Sequence, residues 1–167
     1  LRSSYRNLSK SEVRSISNII IREKSYGGFD GYSTIKHSYN LKTINGDKVV
    51  MDHTTGLMWH QSGSDTIMSW DKAKDWVKNL NSRVYAGSRD WRLPTVDEAA
   101  SLLESSKING LFIDPIFSDM QKYFWTGDEC ESDEKCHAWS VLFHVGNVGL
   151  QQISGSYLPV RPVRSIN

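Results

Sequence analysis

The sequence predicts an α+β domain in which two helices pack on an antiparallel sheet. Three observations point there. Ser69, and Thr95 with Glu98, mark two capped helix starts. A strand-turn-strand pattern over residues 51–59 precedes them. Short segments at 123–126, 137–144, 149–153 and 159–163 then alternate apolar and polar residues as antiparallel strands do.

Residues 1–48 read as an extension of different character. Ser9 and Glu12 form a capping box, and Val13, Ile16, Ile19 and Ile20 recur at helical spacing, so an amphipathic helix is expected over 9–23. Its polar face carries Arg2, Arg6, Lys10, Arg14, Arg22 and Lys24 against Glu12 and Glu23 and reads as solvated. The glycine-rich stretch 27–33 reads as a loop. Residues 41–44 and 49–51 flank Asn45-Gly46, the strongest two-residue hairpin signal. The main domain is placed at 49–167.

Within that domain, Trp70, Ala73, Val77 and Leu80 form one apolar stripe behind Ser69. Pro94 disfavours helix at Leu93, and Thr95 starts one immediately afterwards, turning Ala99, Leu102 and Leu103 inward. Pro115 makes 113–117 irregular.

Composition narrows the function. The 167 residues are 38% hydrophobic and 11% aromatic, with six Trp and seven Tyr, as in a globular chain rich in contact residues. Twenty basic residues against 19 acidic give a net charge of +1, so no global field draws the protein to nucleic acid. No apolar run approaches the ~20 residues of a membrane-spanning helix, so no membrane insertion is expected. The chain begins at Leu1 without Met, which reads as a processed or trimmed product and leaves room for a removed export signal. Cys130 and Cys136 bracket a short acidic segment. A disulfide between them would contribute roughly 2 kcal/mol and place the protein in an oxidising, extracytoplasmic compartment; two free thiols are the alternative.

The order of motifs is distinctive: Asp52 to Trp59, Trp70 with Ala73, Trp91-Arg92-Leu93-Pro94-Thr95, Phe124-Trp125-Thr126, Trp139 to Phe143, and Val160-Arg161-Pro162-Val163-Arg164. From Asp52 to Arg164 the chain resembles the Lcl C-terminal domain family, found in a bacterial collagen-like adhesin. The resemblance implies a C-type-lectin-like fold, with two helices on a twisted antiparallel core. Functionally the resemblance is diffuse: the adhesin member binds sulfated polysaccharides, other members are attached to enzymes or signalling proteins without an assigned ligand, and a shared fold does not transfer function. Residues 1–48 lie outside the resemblance.

Candidate sites follow from residue chemistry. Trp59, Trp70 and Trp91 are expected in the core. Arg92, Arg161 and Arg164 are expected to hold carboxylates or carbonyls, with a sulfate-binding patch as the alternative. Five carboxylates between Asp128 and Glu134 form an acidic hairpin tip. Calcium is the cation to consider there, but the spacing fits no calcium loop and no cofactor is assigned. Cys130, Cys136, His137 and His144 lack zinc-site spacing, and none of the five histidines sits beside a nucleophile signature, so no enzyme activity is expected.

The expected ligand-binding surface is Trp125, Asp128, Glu129, His144, Asn147, Gln151, Gln152 and Tyr157, where aromatic faces and amides suit a glycan or a protein ligand. Trp139 belongs to that region or, alternating with Val141 and Phe143, to the core. The function read here is a non-enzymatic recognition module for a surface glycan or protein. The alternative is a protein-interaction or sensory domain, tethered to a larger assembly or a second copy by the N-terminal helix.

Overall fold

Two sheets carry the molecule, and each takes strands from both ends of the chain. The computed structural model describes residues 1–131 and 137–166. Among these, the elements in order are β1 (Asn7–Leu8), α1 (Lys10–Val13), β2 (Ile19–Ser25), β3 (Gly28–Ser33), β4 (Tyr39–Ile44), β5 (Asp47–Asp52), β6 (Leu57–His60), α2 (Trp70–Ser82), α3 (Val96–Ser101), β7 (Tyr123–Cys130), β8 (His137–Leu142), β9 (Asn147–Gln152) and β10 (Val163–Ser165). A six-stranded sheet runs β1-β7-β8-β9-β3-β2, and a four-stranded one runs β10-β6-β5-β4. All pairings are antiparallel except β1 on β7, which is parallel. The architecture is α+β, with mixed rather than wholly antiparallel strands.

The N-terminal 48 residues depart most from expectation. The Ser9–Glu12 capping box forms, but its helix is only four residues long and ends at Arg14. Asn18 turns left-handed at φ 66°, and Ile19-Ile20-Ile21 then enters β2 instead of continuing a helix. Three consecutive β-branched side chains lose rotamer freedom in a helix and fit a pleated surface better. Of the stretch 27–33, all but Gly27 is likewise strand, β3, pinned between β2 and β9. Its glycines permit that closeness: a Cβ on Gly28 would lie 1.8 Å from the Val148 carbonyl oxygen. Asn45 and Gly46, at φ 53° and 89°, make the expected turn between β4 and β5.

The principal core lies between the sheets. Val50, Leu57, Trp59 and Val163 of the smaller sheet meet Phe29, Phe124, Trp139, Val141 and Val148 of the larger one, with α3 supplying Val96, Ala99 and Ala100. A second cluster lies on the opposite faces of the same strands: Val49, Met58 and Trp125 pack against Trp70, Ala73, Val77 and Leu80 of α2, with Trp91 and Leu158. Thus β6 is buried along its whole length. Strands covered on both faces lose their alternation, because every side chain meets apolar neighbours.

Candidate functional site

The double covering of β7 decides which expected surface residues reach solvent. Trp125 is fully buried, and its indole N–H donates to the Met68 carbonyl at 2.8 Å. Trp139 is also fully buried, with Nε1 donating to the Leu8 carbonyl at 3.3 Å. Neither offers a face to a ligand.

Asp128 is not part of an exposed tip. The register of β7 slips between Trp125 and Glu129, and the irregular stretch directs Asp128 inward. Oδ1 accepts from Arg2 Nη1 at 2.8 Å and the Arg6 amide at 2.7 Å. Oδ2 accepts from Arg2 Nη2 and the Val96 amide, both at 2.7 Å. A carboxylate has about four acceptor positions, and all are filled here, so Asp128 is no ligand for a cation. Glu129 is exposed beside it on the strand paired with β1. Glu131 is exposed as well, while Asp133, Glu134 and Cys136 lie outside the described residues. Cys130 is buried and bonds to no other cysteine among the described residues, and burial pushes its thiol pKa up. The expected Cys130–Cys136 bridge therefore falls outside the described residues.

The arginines take up structural acceptors. Arg92 grips Glu98 with two hydrogen bonds of 2.7 Å, fixing the carboxylate that also accepts from the Thr95 amide at 2.9 Å. Arg164 pairs with Asp90 at 2.7 Å. Arg161 is fully buried, donates to Gln121 Oε1 and the Ser118 carbonyl at 3.2 Å each, and lies over the Phe117 and Phe124 rings. Burial pushes its pKa down to about 9, which leaves it charged at neutral pH. Trp59 and Trp91 sit in the two cores.

Both ring nitrogens of His37 are engaged. Nδ1 lies 2.6 Å from Asp52 Oδ2 and Nε2 2.7 Å from the Ser101 carbonyl. Both partners are acceptors, so both nitrogens carry protons and the ring is an imidazolium. Burial opposes that charge, but the contacts with Asp52 and Ser101 outweigh it and raise the pKa. Asp52 also accepts from Thr55 Oγ1 and the Ser38 and Thr54 amides. With both nitrogens occupied, His37 has no free lone pair to act as a base.

Three of the expected ligand-binding residues do converge. His144, Gln151 and Tyr157 line one open cleft of about 380 Å³ with Tyr123, Leu142 and Leu158. Strand pairing sets the wall: Tyr123 of β7 faces Leu142 of β8, and Gln151 of β9 pairs with Ala138. His144 meets the Tyr123 ring edge-on, 5.9 Å between centroids. Leu158 bridges to Met68 and holds the returning segment, which leaves Tyr157 58% exposed. Gln152 lines an adjoining cleft, also reached by Gln151. Asn147 stands apart, its amide donating to the Phe29 carbonyl and to Asp30 Oδ1 at 3.1 and 2.7 Å.

The family model described as the Lcl C-terminal domain matches residues 48–164. The chain belongs to that family. In this Lcl C-terminal domain the matched region supplies β6 to β9, α2, α3, all of β5 but Asp47 and all of β10 but Ser165. Residues before it add β1 to β4, which are paired into both sheets. No match was found among curated proteins or among solved structures.

Another cleft, of about 350 Å³, is walled by Gln61, Leu111, Asp114, Phe117 and Asp119. It contains none of the expected residues. Tyr123, Ser156 and Leu158 were missed in the late-sheet cleft because their roles depend on how residues 153–158 fold back over β9. The Asp128 hub was missed because its main partner, Arg2, lies at the far end of the chain.

Proposed function

We propose that this domain is a non-enzymatic recognition module with a C-type-lectin-like arrangement, and that it holds a surface glycan in the Tyr123–His144–Gln151–Tyr157 cleft. The observation that carries this reading is Tyr157, a large ring 58% exposed beside a half-buried amide and an imidazole. A flat apolar face for C–H groups next to hydrogen-bonding side chains is the combination that sugar rings require. Family membership supports a binding module. Among the described residues no helix is long and apolar enough to cross a membrane. Membership in a family named for an adhesin domain is what leads us to place the protein outside the cytoplasm.

The same surface would suit a protein ligand. The expected tether for that alternative, a long N-terminal helix, is lost because residues 19–25 form β2. The glycan reading is therefore preferred.

A glycan array and a heparin column, run with wild type, Tyr157→Ala and Gln151→Ala, test it. Retention of a glycan by wild type with roughly tenfold weaker binding in Tyr157→Ala is expected, equivalent to about 1.4 kcal/mol. Unchanged binding in both variants removes this surface, and no glycan binding by wild type removes the reading.

A further inference from the structure

We propose that the Tyr123–His144–Gln151–Tyr157 cleft selects uncharged sugars and excludes sulfated and uronate glycans. The inference rests on the glycan reading above and names the class of sugar which that reading leaves open.

Strand register puts the polar wall on one face of the larger sheet. Tyr123 pairs with Leu142, Leu142 shares its face of β8 with Ala138, and Ala138 pairs with Gln151. The segment that follows β9 adds Ser156 and Tyr157. The wall therefore offers two phenols, one alcohol, one amide and one imidazole around the side chains of Leu142 and Leu158. Among the described residues the two phenols, the Ser156 hydroxyl and the Gln151 amide have no hydrogen-bond partner, so each is available to a ligand. Lys122 borders the imidazole with its backbone carbonyl, 3.4 Å from His144 Nδ1.

Among the described residues no carboxylate, ammonium or guanidinium group lines the cleft. The arginines that could have met an anion are committed elsewhere. Arg92 holds Glu98 and Arg164 holds Asp90, while the buried Arg161 donates to Gln121 and Ser118.

The balance of donors and acceptors then discriminates between sugars. A Tyr or Ser hydroxyl both donates and accepts, and the Gln151 amide does both through separate atoms. A sugar hydroxyl is likewise donor and acceptor, so it satisfies either. A sulfate or carboxylate only accepts. It would leave Gln151 Oε1 facing a like partial charge, and it would give up hydration with no cation to offset the loss. Such a penalty on the wrong ligand contributes to specificity as much as contacts with the right one. Stacking on the Tyr157 ring serves C–H groups whatever the charge of the sugar, so the polar wall makes the choice.

The test is calorimetric titration of the full chain with neutral tetrasaccharides (cello-, chito-, manno- and galacto-) and with anionic ones from heparin, chondroitin sulfate and galacturonan. At least one neutral tetrasaccharide should bind, and every anionic one should bind roughly tenfold more weakly or worse. Raising NaCl from about 0.05 to about 0.5 M should change the neutral affinity by less than roughly twofold, because no screened charge pair contributes. Tyr157→Ala and Gln151→Ala should each weaken neutral binding about tenfold. Gln151→Lys, which adds a cation to the wall, should narrow the neutral-to-anionic ratio by roughly threefold or more. An anionic tetrasaccharide that binds wild type more tightly than any neutral one, and loses that affinity in Tyr157→Ala, overturns the uncharged class while leaving the cleft as the glycan site. So does neutral binding that falls steeply with salt, or a ratio that Gln151→Lys leaves unchanged. Absence of any tetrasaccharide binding sensitive to Tyr157→Ala overturns both.

Discussion

Arg2 and Asp128 form a two-point ion pair, Nη1 to Oδ1 at 2.8 Å and Nη2 to Oδ2 at 2.7 Å, joining the start of the chain to the end of β7. Around it the N-terminal residues are strapped down. Thr95 Oγ1 donates to the Arg2 carbonyl at 2.8 Å, and Tyr5 donates to the Leu93 carbonyl at 2.9 Å. The Tyr5 ring rests on Gly127, where an added Cβ would come within 2.2 Å of it. Asp128→Asn should cost roughly 3 kcal/mol, since it leaves Arg2 and two backbone amides facing a neutral amide in a buried site. Arg6→Ala breaks a 3.5 Å pair with Glu12 in which both side chains are largely exposed, and should change stability by under about 1 kcal/mol. Urea unfolding of the two variants measures the contrast, and equal losses would refute the hub.

Trp125→Ala separates packing from recognition. The side chain is fully buried against α2, so its removal should cost roughly 3–5 kcal/mol. Tyr157→Ala, on an exposed ring, should shift the unfolding midpoint by less than about 0.5 kcal/mol. Thermal unfolding of both variants checks this, and near-wild-type stability for Trp125→Ala would contradict the buried placement.

Stability should fall on both sides of neutrality. His37 has a raised pKa in the fold, so its contribution is complete below the ordinary histidine value of about 6.5 and fades as pH rises through the folded value. His60 behaves oppositely. Burial, then Arg161, push its pKa down to about 4, and its Nδ1 accepts from the Gly63 amide at 2.9 Å. Its contribution is complete above about 6.5 and drains as pH falls toward 4, on the order of 3 kcal/mol in all. Asp52, whose pKa is lowered by the His37 and Thr55 hydrogen bonds against the effect of burial, adds a further loss at still lower pH. Urea midpoints across pH should trace this dome, and His37→Asn should flatten its alkaline side and also shrink the Asp52 loss at low pH, while leaving the His60 loss in place.

Glycine substitutions should rank by what surrounds them. Gly28→Ala drives a methyl into the Val148 carbonyl and should cost roughly 3 kcal/mol or more by forcing β3 off β9. Gly46→Ala meets open space, and only its φ of +89° is unfavourable, so about 1 kcal/mol is expected. Chemical denaturation of the pair gives the order, and a smaller loss for Gly28→Ala would refute the close strand approach.

Much of the fold was readable where a local rule acts alone. Asn45-Gly46, Ser69 and the Thr95–Glu98 box set backbone geometry within a few residues, and each forms as expected. The stretch 19–33 was misread because Val13, Ile16, Ile19 and Ile20 also satisfy helical spacing, while the partner that makes β3 a strand is β9, far along the chain. Trp125 was placed outside because alternation along β7 implied one wet face. In fact Phe124 and Trp125 point into different cores. The cleft itself was half legible: His144, Gln151 and Tyr157 stood out by residue type, whereas Tyr26 and Lys10 reach its neighbour only through tertiary pairing.

The interlacing of early and late strands has a consequence for assembly. β1 finds β7, β3 finds β9 and β6 finds β10 only after most of the polypeptide is available. Contacts so distant in sequence must close large loops before they return any stabilisation, which makes folding slow. Division at residue 48 would leave a front piece without partners for β1 and β3 and a remainder missing strands from both sheets. The chain must mature as one unit, because neither sheet is complete without strands from both halves of the polypeptide.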